Sequence, residues 1–178
     1  MIYLDNKRAS IKTILQKYPD ALLLDVTSKS KTDYVKFSPF YPHGGIPIPF
    51  SEITSFSVEG IWQGLKVFEN QDIDVSKFSN VTMKNLKRSG KYLGRVLGHR
   101  NGVNGKEILN YINARKQIYL PSYEYILKSK MQKEIEEIIK ISQNRNIVLL
   151  DYNTNSDIEN TKSPLSHASL IIKHILAM

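Results

Sequence analysis

The sequence predicts a soluble α+β protein, with one mostly helical domain and a small β-sheet. Three observations support this class. The 178 residues suit one domain and can bury a core without cross-links, which the absence of cysteine excludes. Hydrophobic residues make up 41% and charged residues 24%, as is ordinary for a folded chain. Compact apolar runs occur early and late with helical patterns between them, which favours α+β over alternating βαβ units.

The N-terminal third is predicted to hold a helix, two strands and a turn. Ser10–Tyr18 spaces its apolar residues as a helix does, and a proline follows it. Ala21–Val26 has the length and composition of a buried strand, and Asp33–Phe37 alternates as a second strand would. Ser38–Phe50 has four prolines around Gly44-Gly45, which predicts a turn flanked by extended, edge-like chain.

The central part is predicted to be helical. Ser57 is a suitable N-cap for a helix from Val58 to about Glu69. A second helix is predicted over Val81–Leu97, and a short one over Lys106–Arg115. In the second helix, basic residues at intervals of three and four would form one face, and three glycines would form a ridge open to close approach. The basic residues are Lys84, Lys87, Arg88, Lys91 and Arg95, and the glycines are Gly90, Gly94 and Gly98.

The C-terminal part is predicted to contain a long helix, a strand and a last helix. Pro121 opens the long helix, Ser122–Ser142. Ile147–Tyr152 reads as a buried strand, and Leu165–Leu176 as an amphipathic helix. The predicted core face of the long helix comprises Tyr125, Met131, Ile135, Ile138 and Ile139. Without repeats or a linker, residues 1–178 are predicted to form one domain, with segment 1–35 packed on it.

The formal net charge of +8 favours an anionic partner: a nucleotide, a nucleic acid or a membrane surface. Charge alone does not choose among these, and a lysine-rich surface that binds nothing is also compatible with it. The first ten residues lack the apolar segment of a secretory signal, and no apolar run is long enough to cross a bilayer. We therefore expect a cytoplasmic protein that does not bind membranes. The four histidines lack metal-ligand spacing, so no metal site and no cofactor are predicted.

A polar stripe marks the helix predicted after Ser57. On a helical wheel Glu59, Gln63 and Lys66 fall on one narrow strip with Trp62 at its edge, and apolar residues occupy the opposite side. Those apolar residues are Ile61, Leu65 and Phe68. A desolvated lysine can attack a sugar C1, a glutamate can protonate a departing base, and an indole can stack on a base. The alternative is an ordinary solvated helix face.

The same run, Ser57–Lys66, resembles the signature of the NADAR (YbiA-like) family, a Ser-Glu-His…Gln-Ala…Lys pattern on a helix. Phe37–His43 resembles the opening segment of that family, and Gly90–Arg95 resembles its Lys-x-x-Gly-Arg element. The strand ending at Asp151 resembles its late Leu-Val-Glu strand. The chain departs from the family at Gly60, where the family has histidine, at Asp151, where it has glutamate, and in lacking the late Trp-Gly-Ile-Gly segment.

The resemblance implies a YbiA-like fold and an N-glycosidase in which Lys66 is the nucleophile and Glu59 the acid and base. Its implied substrate contacts are Trp62, Gln63, Arg95 (to phosphate), Ser38, Phe40, His43 and Asp151. The implied substrates are an ADP-ribosylated base in DNA, an NAD-derived ADP-ribosyl compound, or a ribosylamino-pyrimidine phosphate. Two alternatives stay open: a non-catalytic module that binds nucleotide or nucleic acid, and a structural interaction protein.

Overall fold

A computed structural model describes residues 1–178 and confirms the α+β class. The chain divides into two compact units. The first combines residues 1–38 with residues 127–178, and the second comprises residues 39–126. The single-domain organisation expected from the sequence stays a prediction.

The first unit is built on a three-stranded parallel sheet in the order β1-β8-β2. These strands are β1 (Ile2–Asn6), β2 (Leu22–Asp25) and β8 (Ile147–Asp151). Strand β8 lies in the middle and pairs in register with both neighbours, from Ile147 opposite Ile2 and Leu22. The predicted strands at Ala21–Val26 and Ile147–Tyr152 are confirmed, whereas β1 was not predicted.

Helices cover this sheet, which explains why β2 and β8 are continuous apolar runs. Helix α1 (Ile11–Lys17) links β1 to β2, and its Ile14 packs against Val148 in a buried cluster. Helices α6 (Gln132–Ser142) and α7 (His167–Leu176) also pack against β8. The predicted first and last helices are confirmed within a few residues.

The segment Asp33–Phe37 is a 3₁₀ helix, so the predicted strand there is wrong. Two backbone hydrogen bonds of 3.0 Å, from Val35 N–H to the Thr32 carbonyl and from Ser38 N–H to the Val35 carbonyl, close successive turns. With no neighbouring strand to pair with, five alternating residues satisfy their backbone groups locally, and Phe37 is still fully buried.

The second unit contains two small antiparallel sheets. In the first, β3 (Ile46–Pro47) pairs with β4 (Thr54–Ser55), and Gly44 and Gly45 before it have positive φ, which confirms the predicted turn with extended flanks. The second sheet has the order β5-β6-β7. Its strands are β5 (Lys66–Phe68), β6 (Val96–Arg100) and β7 (Ile108–Leu109).

Helix α2 spans only Val58–Gly64, so the prediction that it reaches Glu69 is wrong. Ser57 is the N-cap as predicted, since its hydroxyl accepts a hydrogen bond from Gly60 N–H at 3.0 Å. The helix ends because the chain continues into β5, and because other groups satisfy its last carbonyls. Arg88 donates to the Gln63 carbonyl at 3.1 Å, and the backbone N–H of Asp74 donates to that of Gly64 at 2.8 Å.

The predicted helix over Val81–Leu97 is wrong, and with it the basic face and glycine ridge. Only α3 (Gly90–Leu93) is helical, and the chain then enters β6. Gly94 and Gly98 have φ of 81° and 150°, which no α-helix accommodates. The close approach expected of these glycines is confirmed at Gly98, where a Cβ would collide with the Leu109 carbonyl of β7.

The remaining helices differ from prediction at their boundaries. The helix predicted over Lys106–Arg115 is wrong for the first half of that segment, which contains β7. Only α4 (Tyr111–Ala114) is helical there, and a π-helical turn over Arg115–Tyr119 follows it. Helix α5 (Leu120–Ser129) follows directly. The long helix predicted over Ser122–Ser142 is interrupted between α5 and α6 at Met131, which is fully buried. Of the predicted core face, Ile135 and Ile138 are also buried, and Tyr125 and Ile139 are half-buried.

Candidate functional site

The first turn of α2 fixes the position of Glu59. The hydroxyl of Ser57 caps the helix, and Glu59 N–H donates to the Pro39 carbonyl at 2.8 Å, which ties the helix start to the proline-rich loop. A carboxylate in the first turn also interacts favourably with the helix dipole. The Glu59 side chain is only 8% exposed.

Glu59, Gln63 and Lys66 form a hydrogen-bonded chain. Gln63 Nε2 donates to Glu59 Oε1 at 2.8 Å, and Lys66 Nζ donates to Gln63 Oε1 at 3.2 Å. The backbone N–H of Arg88 donates to the same Oε1 at 3.1 Å. Because Oε1 receives two donors, the amide nitrogen must face Glu59. The structure therefore brings the three residues of the stripe together, although Lys66 is the first residue of β5 and not part of the helix.

Burial shifts the pKa values of Glu59 and Lys66 in opposite directions. Burial raises the pKa of Glu59, and the Gln63 hydrogen bond and the charges of Lys66 and Lys87 only partly offset that rise. Burial lowers the pKa of Lys66, against the attraction of Glu59 and with help from the positive charges of Arg88 and Lys87. The neutral carboxylic acid of Glu59 and the neutral amine of Lys66 are therefore both more populated here than they would be in water.

Aromatic rings lie beside this chain. The Trp62 ring is 3.8 Å from that of His99, between centroids, and Tyr111 and Tyr119 meet Trp62 edge-on at 5.8 Å. Tyr123 stacks parallel to Tyr119 at 6.1 Å. We call Trp62, His99, Tyr111, Tyr119 and Tyr123 the aromatic cluster.

Sequence reasoning missed His99, which is opposite Lys66 in the β5–β6 pair and is 1% exposed. Its pKa is lowered to about 3, chiefly because burial removes the ring from water and also because Lys66 is positively charged nearby. The imidazole is therefore neutral at physiological pH. No local signal could have found it, because its proximity to Lys66 depends on strand register.

Arg88 holds Gln63 and Lys66 in place, and its guanidinium is occupied by hydrogen bonds within the protein. It donates to the carbonyls of Gln63 and Lys66, to the Gln71 side chain and to the Asp72 carbonyl. The structure does not bring Arg95 to Lys66: its side chain is 78% exposed and pairs with Glu69 at 3.3 Å.

The other predicted contacts fall in both units. In the second unit, Phe40 has the Lys87 ammonium 5.7 Å from its ring centroid, and the His43 ring lies 4.8 Å from that of Tyr41. In the first unit, Ser38 is buried and ends the 3₁₀ helix. The Asp151 carboxylate there is buried too, and it accepts hydrogen bonds from Ser166 Oγ at 2.7 Å and from the Tyr152 N–H at 2.7 Å. Its role as a substrate contact stays a prediction.

Gly60 has no room for a side chain in this structure. A Cβ at Gly60 would lie 2.7 Å from the Lys77 carbonyl oxygen and 2.9 Å from Ser55 Oγ. The histidine that follows the glutamate in the NADAR pattern would therefore not fit in this backbone without movement of its neighbours.

Comparison with known proteins gives a family but no activity. No helix combines the length and apolar character that a bilayer crossing requires, and no group of acidic and histidine side chains could hold a metal ion. No curated protein matches the sequence. Residues 6–171, which include most of both units, match a family described as being of unknown function, DUF6939, and the chain belongs to that family.

Proposed function

We propose that this protein is an N-glycosidase that hydrolyses the bond between a ribosyl group and a nitrogenous base. The hydrogen-bonded chain Glu59–Gln63–Lys66 carries the proposal, because it joins a buried acid to a half-buried amine through one amide. The opposite pKa shifts of Glu59 and Lys66 add to it. The substrate classes are an ADP-ribosylated base, an NAD-derived ADP-ribosyl compound and a ribosylamino-pyrimidine phosphate.

In the proposed reaction the neutral amine of Lys66 attacks the anomeric carbon of the ribosyl group. A bond from Nζ to that carbon forms, and the carbon–nitrogen bond to the base breaks. The base keeps the electron pair and takes a proton from the Glu59 carboxylic acid. The carboxylate then receives the proton that the amine loses and returns it to the ring oxygen as the sugar opens. Water hydrolyses the resulting protonated Schiff base and releases the sugar, leaving Lys66 as an ammonium. The ammonium returns its extra proton to the Glu59 carboxylate, which restores both the neutral amine and the carboxylic acid.

The surrounding residues suit these steps. Gln63 holds the acid and the amine in a fixed relation, since its two ends bind one each. Arg88 fixes Gln63 in turn through its backbone N–H. The half-buried Trp62 provides an aromatic surface beside the chain on which a departing base could stack. The resemblance to the NADAR signature, in which the helix glutamate and lysine are implicated in this chemistry, supports the same assignment.

The test is borohydride trapping with each substrate class, followed by intact mass and peptide mapping. We expect an adduct on Lys66 that is absent in Lys66→Ala and in Lys66→Arg, the latter keeping the charge but not the nucleophile. Glu59→Gln is expected to lower turnover by about 10²–10⁴-fold. Lys84→Ala, which removes an exposed lysine of the same unit, is the matched control and should behave as wild type.

The pH profile of turnover provides a second readout. The rate should rise as Lys66 loses its proton, below the usual lysine value of 10.5, and fall as Glu59 loses its own, above the usual glutamate value of 4.5. We therefore expect a bell-shaped pH profile with its maximum between pH 4.5 and pH 10.5. Turnover that persists in Lys66→Ala would refute the lysine mechanism, and absence of both turnover and adduct would refute the glycosidase.

A non-catalytic nucleotide-binding module is the second candidate, and the aromatic cluster favours it. A binder needs only aromatic surface and positive charge. Tyr111 is 41% exposed beside the half-buried Trp62, and the exposed Lys87 lies close enough to Glu59 and Lys66 to act on both charges. Quenching of Trp62, the sole tryptophan, by a nucleotide that is never turned over would establish this candidate instead.

A further inference from the structure

The first unit contains a groove outside the residues considered so far. It has a volume of about 360 Å³, within the range of small-molecule sites. Leu23 and Leu24 of β2 form an apolar part of its lining, and Lys7 and Asp25 lie at the ends of β1 and β2. Because β1, β8 and β2 are parallel, this is the carboxyl edge of the sheet, where open parallel sheets bind ligands.

The loop after β2 borders the groove and is preorganised by its own hydrogen bonds. Thr27 donates from both its backbone N–H and its hydroxyl to Asp25 Oδ1, at 3.0 and 2.7 Å. Lys29 N–H donates to Thr27 Oγ1 at 3.3 Å, and the hydroxyls of Ser30 and Thr32 are 3.0 Å apart. A ligand would therefore meet a loop that is already ordered, which lowers the entropic cost of binding.

The lining is cationic. Lys7 contacts the Asp25 carboxylate and also Thr27 Oγ1, so these two charges offset each other. Lys29 and Lys31 also line the groove and are exposed, and neither makes an ion pair in the structure. The groove thus has two available positive charges, which match a phosphate dianion.

Tyr34 adds a ring to the same lining. Burial, and then the charge and hydrogen bond of Glu137, raise the pKa of Tyr34 to about 12, so its hydroxyl adds no negative charge at neutral pH. The aromatic face and the two leucines suit the less polar part of a ligand that also bears a phosphate.

We infer that this groove binds a small phosphorylated molecule. The phosphate of the ligand contacts Lys29 and Lys31, and the less polar part of the ligand packs against Tyr34, Leu23 and Leu24. The site uses only residues of the first unit and does not depend on the glycosidase proposal. The shared chemistry is that of a phosphomonoester, which a mononucleotide and a sugar phosphate both provide.

The test is a backbone amide NMR titration with AMP and with ribose 5-phosphate, using adenosine and ribose as unphosphorylated partners. Both phosphates are expected to shift amides of residues 25–34, and stronger binding of AMP than of the sugar phosphate would identify a nucleotide site. The variant Lys29→Gln/Lys31→Gln should weaken binding roughly tenfold or more. Lys130→Gln/Lys133→Gln changes the net charge equally at exposed positions of the same unit and should leave affinity nearly unchanged.

Four results would overturn the inference. They are absence of shifts at residues 25–34 with either phosphate, equal weakening in the two double variants, equal affinity for adenosine and AMP, and the same shifts with an oligonucleotide that lacks a terminal phosphate. The second would indicate general charge attraction, and the last would indicate a nucleic-acid surface.

Discussion

At the residue scale, each unit has a pair of buried or half-buried titratable side chains. The fold shifts their pKa values away from the charged forms in the second unit and towards the charged forms in the first. In the second unit, the raised pKa of Glu59 and the lowered pKa of Lys66 mean that the fold disfavours both charged forms. In the first unit, Asp151 and His167 favour each other's charged forms. Nδ1 of His167 is 3.0 Å from Asp151 Oδ2, and its Nε2 is 2.8 Å from the Val26 carbonyl, so a doubly protonated ring satisfies both acceptors.

The pKa values of this pair are set by competing causes. Burial alone would lower the pKa of His167, but the hydrogen bond and charge of Asp151 outweigh it, and the pKa is raised. Burial alone would raise the pKa of Asp151, but the hydrogen bond and charge of His167, with help from Ser166 and Tyr152, lower it. The pair therefore joins the end of β8 to the start of α7.

We expect His167→Ala to lower the free energy of unfolding by about 3–5 kcal/mol, because it leaves the Asp151 carboxylate buried without its partner. The loss should be measured by urea denaturation across pH. The raised pKa of His167 makes its contribution complete below pH 6.5 and lost as the pH rises through the folded value. The lowered pKa of Asp151 makes its contribution present above pH 3.8 and lost as the pH falls through the folded value.

The difference between wild type and His167→Ala should therefore be largest between pH 3.8 and 6.5 and shrink on either side. His174→Ala, on the same helix but outside this pair, is the control and should show neither the large loss nor the pH dependence. A loss that is equal at pH 5 and pH 9 would mean that packing, and not charge, explains the effect of His167.

At the element scale, the site depends on how the chain passes from α2 into β5. Lys66 stays beside Gln63 because the helix ends at Gly64 and the strand starts two residues later. Strand β5 pairs with β6 through Val67 and Gly98, next to the pair Lys66 and His99. The pairing at Gly98 therefore helps to fix the positions of both Lys66 and His99.

We expect Gly98→Ala to destabilise the second unit by about 3 kcal/mol. The φ of 150° is unfavourable for alanine, and its Cβ would collide with the Leu109 carbonyl of β7. The fluorescence of Trp62 should change as well, because its ring lies 3.8 Å from that of His99. Denaturant titration followed by this fluorescence measures both effects.

Gly90→Ala is the matched control, since a Cβ there would have its nearest neighbour, Phe68 Cε1, at 4.0 Å. It should change stability by no more than about 1 kcal/mol, in the stabilising direction, because alanine favours helix more than glycine does. Equal effects of the two substitutions would show that the close approach of β6 and β7 is not required.

At the scale of the whole molecule, the first unit is assembled from both ends of the chain. Strands β1 and β2 each pair with β8, more than 120 residues away, and not with each other. The formal charge is shared evenly: fourteen basic and ten acidic residues lie in the first unit, and eleven and seven in the second. The basic excess is therefore not a property of one unit.

We expect a fragment ending at residue 146 to lose the parallel sheet, because it lacks the central strand β8 and the helix α7. Amide NMR shifts of Ile2–Asn6 and Leu22–Asp25 should become those of unstructured chain, and circular dichroism should show less strand. Removing only Ala177 and Met178, which follow α7 and are exposed, should leave these shifts unchanged. Native shifts in the shorter fragment would contradict the central role of β8.

Features that depend on a few neighbouring residues were predictable from the sequence alone. These are the N-cap at Ser57, the apolar strands at Leu22–Asp25 and Ile147–Asp151, and the buried side of Ile61 and Leu65. The sequence also identified Glu59, Gln63 and Lys66 as one group, because a spacing of three and four residues suggests a shared face. Capping and hydrophobic periodicity depend on residues within one or two turns of each other, so a short stretch of sequence is enough to predict them.

The pairing of the strands, in contrast, is visible only in the folded protein. The same spacing put Lys66 on a helix, whereas pairing with β6 makes it the first residue of a strand opposite His99. The prediction that Gly98 belongs to a helical glycine ridge is wrong. Neither its positive φ nor its contact with the Leu109 carbonyl can be inferred from the sequence. Strand β1 escaped prediction because its partner comes at the far end of the chain. Register and parallel pairing join residues that are distant in sequence, and no local pattern specifies them.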